Sequence, residues 1–149
     1  MIIELVLEST VCDAALPIEV AVSLHDKTPL HRQVINLDCT EQDILIDVPM
    51  IEHTRSRISL QLSSSHINII RHPIEIKKIL LDQFFCLDSI LYSGRPQFDQ
   101  QFLFYAQKRN LYLDPTATCN RLDFTGRLIY DLEWPFYHNI WQHFRGTGR

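Results

Sequence analysis

The sequence predicts a mainly β protein: an antiparallel β-sandwich, jelly-roll-like, with a short C-terminal helix. Three observations carry that prediction. Several stretches set bulky apolar residues at every second position, most cleanly Ile18-Glu19-Val20-Ala21-Val22-Ser23-Leu24, the pattern of a strand buried on one face. Turn residues interrupt these stretches at short intervals, as antiparallel sandwiches require. Long helical patterns between the strands are missing, which argues against a βαβ architecture. The 149 residues hold no internal repeat, low-complexity tract or linker and read as one domain spanning 1–149, long enough to bury a core without staples.

Taken in order, Ile2 to Leu7 opens the chain as a β-branched strand. The Ile18–Leu24 strand follows a loop. Asp26-Lys27-Thr28-Pro29 supplies turn chemistry, and Val34 to Leu37 continues as a strand. Asp43 to Val48 alternates again until Pro49 stops it, and Arg57 to Ser63 is a further alternating strand. The serine run Ser63 to Ser65 turns the chain into a shorter strand, Ile67 to Ile70.

Ile74 to Asp82 begins with alternation and breaks it at Lys77-Lys78. Two consecutive outward residues predict a β-bulge there. Phe84 to Leu91 extends as an apolar strand or a bend into one, and Ser93-Gly94-Arg95-Pro96 is a turn. In Phe98 to Tyr105, the helical spacing of Phe98, Phe102 and Tyr105 competes with the strand spacing of Phe102 and Phe104; the reading here is a strand. Asn110 to Asp114 reads as a short strand, with Pro115 to Asn120 as loop. Leu122–Phe124 and Arg127–Leu132 read as two strands around a tight turn in which Gly126 takes positive φ. Pro135 suits a first helical turn. Phe136, Ile140 and Phe144 then line one face of a helix that closes an open end of the sandwich.

Composition excludes several function classes. The net charge is -4, and the densest basic spots are Lys77-Lys78, Lys108-Arg109 and the Arg145/Arg149 tail. No clustered basic footprint exists, so nucleic acid is not an expected partner. No run approaches the length needed to span a bilayer, so no membrane partner is expected. MIIELVLEST lacks the basic region of a signal peptide and meets Glu4 early. The expected location is cytoplasmic (the host's cytoplasm, were the chain viral) or virion-associated. Cys12, Cys39, Cys86 and Cys119 are widely spaced without a CxxC and read as free thiols.

Catalytic signatures are absent. The four glycines form neither GxGxxG nor GxxxxGK[ST], and no GxSxG elbow occurs. His138 and His143 are five apart and miss the i, i+4 face of helical zinc ligands. No acid, base and nucleophile set converges, so the expectation is a chain that is not an enzyme. No cofactor is expected. The one ion the residues could take is Ca2+, for which Asp114, Asn120 and Asp123, with Thr116, offer oxygen ligands around one loop. The same residues open and cap ordinary turns.

Aromatic residues crowd the C-terminal half. Most such rings fill cores, but exposed ones stack on sugar rings or anchor partner proteins. Tyr92, Tyr112, Trp134 and Tyr137 are the candidate ligand-binding residues.

The segments Ile74 to Asp82, Leu122 to Leu128 and Trp134-Pro135-Phe136 give the second half a grammar that resembles small β-sandwich proteins of tailed phages. Those in turn are similar to carbohydrate-binding modules. In them a strand of the form I-x-I-x-x-I-x-x-D starts the second half, and a hairpin around a glycine leads to a terminal aromatic helix. The chain departs from the pattern at Gln83, where glycine is more usual. The resemblance carries no catalytic motif. It implies a non-catalytic recognition module binding a glycan or a protein surface. The alternative is a structural, decoration or adaptor subunit of a larger assembly such as a phage virion, with a homo-oligomer among its expected forms.

Overall fold

A computed structural model describes residues 2–9, 16–24, 28–37, 40–49, 56–85 and 88–134. Two five-stranded antiparallel sheets pack face to face as a β-sandwich. The first sheet holds β1 (Ile2–Ser9), β4 (Thr40–Asp47), β6 (Ile74–Leu81), β7 (Phe84–Phe85) and β9 (Arg121–Leu122). Its order is β4-β1-β6-β7, with β9 pairing the start of β6. The second holds β2 (Leu16–Leu24), β3 (Pro29–Leu37), β5 (Ser56–Ser64), β8 (Arg95–Phe98) and β10 (Gly126–Trp134), ordered β3-β2-β5-β10-β8. Two helices, α1 (Asp88–Leu91) and α2 (Gln100–Lys108), sit among the later strands.

The alternating pattern explains the packing. In β2, Leu16, Ile18, Val20 and Val22 are buried while Pro17 is exposed. Leu60, Leu62, Leu128 and Tyr130 extend that inner face across β5 and β10, and Ile3, Leu5, Ile46, Ile76 and Ile79 supply the opposing one. Each such side chain contributes roughly 1.5–3 kcal/mol on burial.

The predicted bulge is present. Val6 lies opposite Lys78 and Leu7 opposite Ile76, so Lys77 is the extra residue. Lys77 and Lys78 both point outward, while Ile76 and Ile79 on either side stay buried. The bulge lets one strand carry two adjacent cations outside without losing its inner face.

Several expectations are corrected, among them the turn at Ser93-Gly94-Arg95-Pro96, whose Arg95 and Pro96 begin the strand β8. Ile67–Ile70 is a 3-10 turn, not a strand. The His66 ring accepts from the Asn68 backbone N–H at 3.2 Å, a local side-chain bond that competes with strand pairing. Phe84–Leu91 forms only the two-residue β7, then α1 after the undescribed residues 86–87. Asp82 and Gln83 both have positive φ, giving the two-residue hairpin turn between β6 and β7.

Phe98–Tyr105 is largely α2, not a strand. Asp99 is its N-cap, accepting from the Phe102 N–H at 2.9 Å, and Phe102 and Ala106 face the core. The helical spacing prevailed because a cap fixed the start, and Phe98 stacks on Phe102 with ring centroids 5.0 Å apart. Asn110–Asp114 is likewise not a strand. Asn110 takes left-handed φ, and the Leu111 N–H bonds the Ala106 carbonyl at 3.0 Å, closing the helix in a Schellman motif.

The last expected hairpin is divided between the sheets. β9 pairs β6, whereas β10 pairs β5 and β8. Gly126 does have the expected positive φ of 136°. The expected C-terminal helix lies outside the described residues, as do Cys12, Cys39 and Cys86.

Candidate functional site

The outer face of the second sheet presents a row of side chains perpendicular to its strands. Register places Val34, Glu19, Ser63, Arg127 and Gln97 side by side on β3, β2, β5, β10 and β8. All five face away from the core because their neighbours in sequence, such as Ile18, Leu62 and Leu128, are buried. All of the row but Gln97 lines a cleft of about 370 Å³, together with Pro17, Ser64, Ser65, Asp99 and Gly126.

Fixed backbone builds the cleft wall. A Cβ on Gly126 would collide with the Gln97 carbonyl and come 3.0 Å from the Asp99 nitrogen, so β10 and β8 approach there only because the residue is glycine. Asp99 is held at one oxygen: its Oδ1 caps α2 and accepts from the Thr125 hydroxyl at 2.6 Å. Glu19 is held by Arg32, with Nε to Oε1 at 2.9 Å and Nη2 to Oε2 at 3.0 Å. This two-point grip fixes the carboxylate plane.

The sequence-predicted aromatic residues are distributed otherwise. Tyr92, in the turn after α1, is 50% exposed, and Tyr112, after α2, is 87% exposed. Both present free ring area, outside the residues that line the cleft. Trp134 ends β10 opposite Ser56, but its side chain and all of Tyr137 lie outside the described residues. Tyr130 is wholly buried. Its hydroxyl donates to the Leu91 carbonyl at 2.8 Å, tying the end of α1 to the inner face of the second sheet, and burial pushes its pKa well up. Sequence reasoning did not find Phe104, which is 59% exposed beside Lys108 at 4.6 Å from the ring centroid.

The candidate oxygen ligands have separate tasks. Asp114 accepts from the Thr116 N–H and hydroxyl at 2.9 and 2.8 Å, bonds that hold its carboxyl below the usual range. Asn120 is buried and bonds Ile76 twice: its side-chain amide donates to the Ile76 carbonyl, and its own carbonyl accepts from the Ile76 N–H. It extends the pairing of β9 rather than facing a loop interior. Asp123 is exposed. No group of three or more His, Cys, Asp or Glu among the described residues is arranged to hold a metal ion. Cys119 is half-buried, donates to the Arg121 carbonyl at 3.3 Å, and has its pKa raised by burial, the environment of an inert thiol. No helix among the described residues is long and apolar enough to cross a membrane.

No protein-family model and no curated protein matches the chain. Among solved structures, the fold is similar to one described as "vCBM60 in complex with galactobiose", a carbohydrate-binding module. The TM-score is 0.51 and the sequence identity 8%, over 89% of this chain and 100% of that one. At that identity the likeness is one of fold. It meets the carbohydrate-binding side of the resemblance drawn from sequence and has no bearing on tailed phages.

Proposed function

We propose that the chain is a non-catalytic carbohydrate-binding module that holds a saccharide across the outer face of the second sheet. The observation that carries this reading is the row Glu19–Ser63–Arg127–Gln97, running across four adjacent strands into the cleft. A sugar offers many hydroxyls, each both donor and acceptor, and is bound by several polar groups held rigidly at matched spacing. Strands set such groups about 4.8 Å apart, comparable with one pyranose ring. The row mixes carboxylate, hydroxyl, guanidinium and amide, and the cleft falls in the size range of ligand sites. The fold likeness to a structure solved with galactobiose supports the same class of ligand.

Isothermal titration against a panel of oligosaccharides tests this. Binding is expected in the wild type and lost in Ser63→Trp, which fills the centre of the row without touching the core. A panel with no binder, or a Ser63→Trp variant with unchanged affinity, would sink the reading.

A second reading is supported by a different surface. Leu103, Phe104, Leu111 and Tyr112 are all exposed large apolar residues, and residues 100–113 contain Lys108 and Arg109 but no acid. Such a surface suits an adaptor or assembly subunit that docks on an acidic protein neighbour. Multi-angle scattering that shows a defined oligomer, dispersed by Phe104→Glu, would favour this reading over the first.

A further inference from the structure

The arginines on the outer face of the second sheet are not equivalent. Arg32 grips Glu19, Arg57 lies 3.3 Å from Glu133, and Arg95 bonds Asp131 at 2.7 Å. Each therefore has an acid on the same face. Arg127 has no ion pair or hydrogen bond among the described residues, and its cross-strand neighbours, Ser63 and Gln97, are neutral. It is also exposed and lines the cleft.

The two carboxylates of the cleft each have bonding partners. Glu19 is matched by Arg32, and Asp99 keeps its charge at the start of α2, its Oδ1 accepting from the Phe102 N–H and the Thr125 hydroxyl. Arg127 is thus the charged side chain of the cleft that has no bond of its own among the described residues, and its guanidinium is a planar fork of donors that matches a carboxylate in two-point geometry.

We infer that the cleft selects an anionic saccharide, and that Arg127 is its specificity-determining residue, pairing with the carboxylate of a uronic acid unit. The inference rests on the carbohydrate-binding reading above. It adds the ligand's charge, which neither the row of polar groups nor the fold likeness specifies.

The test uses a matched pair of ligands, trigalacturonate and its carboxyl-reduced trimer, which differ only in the acid group. Titration of the whole chain at low salt is expected to give a preference of about ten-fold or more for the acid, the range of a charge-assisted pair. That preference should shrink as salt rises. Arg127→Gln should bring the ratio close to one, whereas Arg95→Gln, which removes an already paired arginine outside the cleft, should leave it in place. Inorganic sulfate is the control for a bare anion site. Equal binding of both trimers overturns the inference while leaving the carbohydrate reading intact. Displacement of trigalacturonate by millimolar sulfate with no binding of the neutral trimer would reduce the site to a general anion site and overturn it too. Failure of both trimers to bind counts against the inference, and silence across the wider panel removes the carbohydrate reading itself.

Discussion

The two sheets bury nearly interchangeable inner faces and present very different outer ones. Both line the core with Ile, Leu and Val at alternate positions. Outside, the first sheet is dominated by acids: Glu4, Glu8, Asp43, Asp47 and Glu75 share a face with Lys77 and Lys78, which stand together because of the bulge. Lys77 lies 3.4 Å from Glu8 and 3.6 Å from Glu75, and hydrogen bonding to Glu8 raises its pKa. The second sheet instead balances its outer charges pair by pair and, among the described residues, leaves one arginine over, Arg127 in the cleft. Burial selects what faces inward and is indifferent to the outer face, so recognition is free to differ between faces that serve the fold equally.

The sheets also differ in how their turns are built, which makes the contrast testable. The second sheet places Gly126 at positive φ, with backbone from β8 closing over it. The first sheet places Gln83 at positive φ without using glycine. The largest effect should come from Gly126→Ala, which strains φ and forces β8 away; a loss of about 2 kcal/mol is expected in urea denaturation. A neutral result there would mean that the cleft wall is not held by this approach.

Next in size is a pH effect in the second sheet. Tyr130 keeps its proton in the folded protein beyond the pH at which a free phenol ionises, because burial raises its pKa. The unfolded chain therefore releases a proton above about pH 10 while the folded one does not, and stability should fall by about 1.4 kcal/mol per pH unit beyond that point. Tyr130→Phe should remove this share of the alkaline slope; an unchanged slope would show that the phenol is not shielded. The smallest effect, and the opposite sign, is expected in the first sheet. Gln83→Gly should stabilise by about 1 kcal/mol by relieving a left-handed side-chain position. A loss of stability would indicate that the Gln83 side chain contributes more than its backbone costs.

Much of the sandwich was legible in the sequence. Period-two alternation identified long strands in both sheets, β2, β4, β5 and β6 among them, and the paired outward lysines located the bulge. Alternation succeeds because burial of one face is a strictly local consequence of side-chain direction. The helix α2 is hidden in the sequence because Phe102 and Phe104 mimic a strand, and the signal that separates the two is Asp99, which caps the helix through the Phe102 N–H. The aromatic candidates and the cleft do not coincide where both are described; the Trp134 side chain and Tyr137 lie outside the described residues. Tyr130 turned inward, and Tyr92 and Tyr112, though exposed, do not line it.

By itself, then, the sequence determined which residues face the core and which face away. It could not determine which outward residues become neighbours. Glu19, Ser63, Gln97 and Arg127 are far apart in the chain and meet only because β2, β5, β8 and β10 pair in a particular register. Likewise, the split of β9 and β10 between sheets follows from long-range pairing that their short connecting turn does not encode. Side-chain direction is set within one strand, whereas the order and register of strands is set by the packing of the whole sheet.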